Sequence, residues 1–92
     1  MSSMTSYESL RIVNIVCRML GLGEATLDSF HQHSLGHYKM FVKICGRQEY
    51  LTWGRDEGKS GVMHATYRVI ERRLKLSPDL PTYIAIRSAV NV

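Results

Sequence analysis

The order of hydrophobic periods along this chain predicts an α+β fold: an α-β-β-β-α two-layer sandwich, with a three-stranded antiparallel sheet carrying two helices on one face, plus a C-terminal extension. Three observations predict it. A helical apolar run opens on a capping sequence, a period-two run fills the middle, and a second helical run follows a glycine-rich break. With 92 residues, 45% hydrophobic and 22% charged, the composition suits one globular domain with a single modest core. That domain is expected over residues 1–75, with 76–92 as the extension.

The first helix is expected from about Ser6 to Leu20. Thr5-Ser6-Tyr7-Glu8 is a capping box, in which a hydroxyl and a carboxylate can reciprocally satisfy two free backbone N–H groups. Leu10, Ile12, Val13, Ile15, Val16, Cys17, Met19 and Leu20 cover most of the circumference, leaving Arg11, Asn14 and Arg18 as a narrow polar stripe at i, i+3, i+7. One sheet rarely covers so wide an apolar face. Part of it is expected to meet either another chain or the C-terminal tail. Gly21 and Gly23 end the helix.

Residues 24–34 read as a weak polar strand. In the next run Tyr38, Met40, Val42 and Ile44 alternate with Lys39, Phe41 and Lys43, the signature of a strand with one buried face. Gly46-Arg47 is expected as the centre of a two-residue hairpin, returning the chain through Gln48 to Trp53. Phe41 falls on the outer face between Lys39 and Lys43, a candidate for base stacking or a partner contact. Trp53 is expected in the core or at its rim.

The stretch "GRDEGKSG", residues 54–61, invites comparison with the phosphate loop of nucleotide hydrolases. Gly54 and Gly58 are separated by three residues where that loop has four, Asp56 and Glu57 lie inside the would-be anion cradle, and the chain is too short for the parallel sheet. The stretch is better read as strand, turn and helix start, with Ser60 as N-cap. The second helix is expected over Gly61–Leu74. Val62, Met63, Thr66, Val69, Ile70 and Leu74 gather on its core side; His64, Arg68, Glu71, Arg72 and Lys75 gather on the other. Pro78 and Pro81 break the pattern, and "TYIAIRSAV" is expected as either an added strand or a docked extension.

Twelve Lys and Arg against eight Asp and Glu leave a net charge of +4, which favours an anionic partner such as nucleic acid. Cys17 and Cys45 fall in apolar runs and are expected as buried free thiols. No apolar run reaches membrane-spanning length, and "MSSMTSYESLRIVN" lacks a basic segment followed by an apolar one, so an intracellular protein, cytoplasmic or nuclear, with no membrane partner is expected. The spacing of His31, His33, His37 and Cys45 matches no common zinc arrangement. No nucleophile-base pair or paired carboxylates stand out, so neither an enzyme nor a cofactor is expected.

From Glu8 to Leu74 the chain resembles the double-stranded RNA-binding domain family. "CRMLG" is similar to the family's end of helix one, "SLGH" to its Gly-Pro-x-His loop, "YKMFVKICG" to its alternating strand and hairpin, and "GRDEGKS" to its glycine-serine approach to helix two. The resemblance implies that Lys59 meets phosphates across the major groove, that His37 and Lys39 approach a minor groove, and that Asn14 and Arg18 meet another. Arg11, on the same stripe, and His64 and Arg68, on the basic side of the second helix, complete the candidate set. The family's lysine cluster at this helix start is replaced by Ser60-Gly61-Val62-Met63-His64, its contacting glutamate by Ile15, and its loop proline by Leu35. Affinity is therefore expected to be lower than a lysine-rich member's. Two function classes stand on this scaffold: a binder of double-stranded RNA, sequestering duplexes from processing or sensing enzymes, and a protein-interaction or homodimer module built on helix one and the tail.

Overall fold

In the computed structural model, which describes residues 4–33 and 35–92, the chain runs α1 (Ser6–Met19), β1 (Thr26–His33), β2 (His37–Ile44), β3 (Arg47–Gly54), a 3-10 turn (Arg55–Glu57), α2 (Gly58–Leu74) and α3 (Leu80–Val90). The strands pair antiparallel in chain order. Along β2 the predicted alternation holds: Tyr38, Met40, Val42 and Ile44 are buried, while His37, Lys39 and Lys43 are exposed. One sheet face is thus covered by α1 and α2, and the other is open.

α1 starts where the capping sequence predicts, with the Glu8 N–H donating to Thr5 Oγ1 at 3.0 Å. Ile12, Val13, Val16 and Cys17 face the core. The hydroxyls of Ser9 and Thr66, both buried, donate to the carbonyls of Thr5 and Val62 one turn back, so neither is left unsatisfied.

The β2–β3 hairpin corrects one expectation. Ile44 pairs with Arg47, so the central residues are Cys45 and Gly46, at φ 54° and 76°, rather than Gly46 and Arg47. With both central residues left-handed this is a type I′ turn, whose twist matches the strands; Gly46 takes that conformation freely and Cys45 is forced into it. Cys45 is therefore exposed, not buried. Cys17 is buried as expected, and burial, with a smaller push from Cys45, raises its thiol to about 11.

α2 begins at Gly58 instead of Gly61, and Ser60 lies inside its first turn rather than at the N-cap. The chain already coils from Arg55, because the Glu57 carboxylate takes the Gly54 N–H at 2.6 Å and closes the turn on itself. One turn into α2, Gly61 crosses Trp53. A Cβ there would lie 2.7 Å from Glu57 Cβ and 3.0 Å from Trp53 Cβ, so the helix reaches this depth only without a side chain.

The tail is a helix docked on the other two. Asp79 caps α3 by accepting the Thr82 N–H at 2.9 Å; hydrogen bonding from the Thr82 side chain, and then from this N–H, holds its carboxyl below the usual range, and Pro81 falls in the first turn, where a missing N–H costs nothing. Ile86 and Val90 join the same buried cluster as Ile12 and Val16. Part of the wide apolar face of α1 is thereby covered from within the chain. Among the described residues no helix is long and apolar enough to cross a membrane.

Two measurements check this packing. Gly61→Val should lower stability by about 2 kcal/mol in urea denaturation, because overpacking costs roughly 1–3 kcal/mol and the helix-propensity gain over glycine is only about 0.4 kcal/mol; an unchanged midpoint would contradict the close approach. A maleimide at neutral pH should label Cys45 rapidly in the native protein and Cys17 only after unfolding, since a buried, protonated thiol is unreactive.

Candidate functional site

The end of the sheet where β2 starts and β3 finishes gathers several segments. Phe30, Tyr38 and Trp53 form an aromatic cluster there, with Tyr38 and Trp53 stacked at 5.5 Å and Phe30 5.6 Å from Tyr38. Burying these rings fixes the strand ends. The lead-in to α1 is tied to the cluster by the Met4 N–H, which donates to Tyr38 Oη at 3.1 Å. Trp53 Nε1 has no hydrogen-bond partner among the described residues, so this packing is achieved at the cost of a dry indole N–H.

Above the cluster, the Arg55 N–H donates to the Gly36 carbonyl at 2.7 Å. This bond joins the β1–β2 connection to the turn that starts α2, and His37 pairs directly with Gly54 across the strands. His37, Arg55 and Lys59 therefore share one end of the molecule. Ser34, within the loop segment "SLGH", lies outside the described residues. Arg55 was not among the sequence candidates; its signal was its position directly after the strand, ahead of the lysine that drew attention. The same turn carries Asp56 and Glu57, which balance Arg55 and Lys59 in formal charge, and the positive pole of α2 adds roughly +0.5 of a charge.

The other candidates are distributed. Arg11 and Arg18 are exposed on α1 and line a shallow groove with Tyr7 and Glu24. Asn14, between them, is occupied: its Oδ1 accepts the Ala25 N–H at 2.6 Å and its Nδ2 donates to the Ala25 carbonyl at 3.3 Å. Its amide clamps α1 to the start of β1. Lys39 lies on the open sheet face, opposite Thr52 and His31. His64 is held by α3, with Nε2 2.6 Å from Tyr83 Oη and the rings stacked at 6.1 Å. Arg68 leaves α2 about two and a half turns after Lys59, on the opposite side, and lines a groove at the β3 edge with Tyr50, Thr52, Val69 and Arg72.

Thus His37, Arg55 and Lys59 belong to one end of the molecule, Lys39 follows His37 two residues on along the open face, Arg11 and Arg18 flank a clamp, and His64 and Arg68 lie apart. Glu49 is a further commitment: only 4% exposed on the covered face, it meets Arg73 at 3.7 Å. Among the described residues no group of three or more His, Cys, Asp or Glu is placed to hold a metal ion.

No family model, no curated protein and no solved structure matches the chain.

Asn14→Leu removes both partners of the buried Ala25 backbone and should cost about 1–3 kcal/mol in urea denaturation. A change within about 0.5 kcal/mol would mean that the amide is free for other work.

Proposed function

We propose that this chain is a divergent double-stranded RNA-binding domain that holds RNA duplexes by shape and phosphate contacts. The observation that supports it best is the bond from the Arg55 N–H to the Gly36 carbonyl, which brings the helix start carrying Arg55 and Lys59 and a strand-connecting turn to one end of an α-β-β-β-α sandwich. A-form RNA has a deep, narrow major groove bordered by phosphates and shallow minor grooves lined with 2′-hydroxyls, so a protein reads it by bridging grooves rather than by entering one. In this reading Lys59 and Arg55, with the positive end of α2, meet phosphates across the major groove. His37 approaches one minor groove beside them. Arg11 and Arg18 reach the next along α1.

The chemistry also bounds the strength of such binding. Asp56 and Glu57 repel phosphate beside Lys59, and the Asn14 amide is spent on Ala25. Binding resting on so few cations is weak, and its salt slope is shallow, because the slope grows by about one for each phosphate neutralised. A pool of duplex RNA withheld from processing or sensing enzymes is the use that suits a small domain of this kind.

A second reading, a protein-interaction or homodimer module, is favoured by Leu80 and Ile84, 70% and 55% exposed one turn apart on α3. A labelled RNA duplex and the matching DNA duplex, titrated at several salt concentrations, should separate the two. Duplex binding predicts tighter RNA than DNA association, a negative salt slope, and for Lys59→Ala a roughly three- to tenfold loss with the slope reduced by about one. Equal or absent binding of both duplexes, together with concentration-dependent dimers in sedimentation that Ile84→Glu abolishes, would transfer the assignment to the second reading.

A further inference from the structure

The uncovered sheet face is not uniformly polar. At its centre Phe41 of β2 and Tyr50 of β3 stand directly opposite one another, ring centroids 5.1 Å apart, with Tyr50 44% exposed. A cross-strand aromatic pair supports a sheet on its own account. This one, however, is framed by cations. Lys39 and Lys43 lie on the same face two residues to either side of Phe41, both exposed. Beyond Tyr50, at the free edge of β3, the groove lined by Tyr50 and Thr52 carries Arg68 and Arg72 of α2 on its far wall. Along the three strands the acidic side chains are Asp28 and Glu49; Asp28 accepts from Gln48 Nε2 at 3.1 Å, and Glu49 belongs to the covered face.

Flat rings between two pairs of cations match a ligand that offers flat rings and negative charges in alternation. A duplex keeps its bases paired inside and has none to stack. An acidic peptide satisfies the cations and leaves the rings unused. We propose that the open face and its β3 edge bind single-stranded nucleic acid, with bases stacking on Phe41 and Tyr50 and phosphates meeting Lys39 and Lys43 on the face and Arg68 and Arg72 at the edge. Base stacking on aromatic side chains tolerates any sequence, because every base has a π-face. The site adjoins the sheet end used by the duplex reading, Lys39 lying two residues from His37 on one face, but its rings take no part in that reading, and it stands whether or not that reading holds.

The test is a fluorescence-anisotropy titration of the full chain with a labelled ten-nucleotide uridine strand, with an abasic strand of equal length, and with polyglutamate as competitor. Phe41→Leu and Tyr50→Leu keep apolar bulk and remove a ring; each should weaken the uridine strand about tenfold while circular dichroism stays native. Lys43→Ala should reduce the salt slope by roughly 0.7, the share of one phosphate contact on a single strand. Abasic strand should bind at least about tenfold more weakly than uridine strand. The proposal is overturned by wild-type affinity in both leucine variants, by equal binding of the abasic strand, by polyglutamate displacing the strand at equal charge concentration, or by no salt-dependent binding of the wild type. Loss of duplex binding in Lys59→Ala with single-strand binding intact supports two separate sites. Loss of both in that variant overturns the open-face assignment.

Discussion

The crossing of Gly61 over Trp53 sets the geometry on which the rest depends. Because no side chain intervenes, α2 comes down onto the end of β3 at backbone distance, and the stack of Phe30, Tyr38 and Trp53 is closed from above. The 3-10 turn of Arg55–Glu57 is the short path left between strand and helix. That path holds Arg55 against Gly36, and the bond between them fixes where His37 and Lys59 stand. A residue with no chemistry of its own thus determines the spacing of those that have some.

Polar side chains divide into those the fold uses and those it leaves over. Asn14 is used, since a buried backbone N–H and C=O at Ala25 would otherwise lack partners, and that penalty exceeds what a single surface contact to a ligand returns. His64 is used by Tyr83, which in turn packs edge-on against Tyr67 and so anchors α3. Glu49 is used with Arg73, a pair whose attraction is modest on the exposed arginine side but which spares a nearly buried carboxylate from isolation. Arg11, Arg18, Arg55, Lys39, Lys43, Arg68 and Arg72 remain exposed and supply much of the chain's basic surface.

The alternation in Tyr38–Ile44 was readable because a strand with one covered face must repeat every second residue, and the capping sequence at Thr5 was readable because its bonds are local. What depended on distant partners was not. Nothing in the spacing of Arg11, Asn14 and Arg18 distinguishes a free stripe from one whose middle member faces Ala25. Cys45 looked buried because its run is apolar, yet register puts it in a turn, where the pleat no longer decides which side a residue faces. The tail was readable only as a strand or a docked extension, although Asp79, followed by Pro81 and Thr82, is a local helix-start signal; the proline, harmless in a first turn, masked it. Of the candidate site, the placing of His37 opposite Gly54, next to the turn into α2, followed from strand order, while the divergence of Arg68 from Lys59 required the phase of α2, three residues earlier in starting than its sequence suggested.

The sole tryptophan of this protein is enclosed at the junction of sheet and helix, 3% exposed and stacked on Tyr38. An indole in dry, ring-lined company emits at shorter wavelength than one in water. The protein therefore carries an intrinsic optical gauge at the hinge between β3 and α2: its colour registers any loosening there, and does so without a dye.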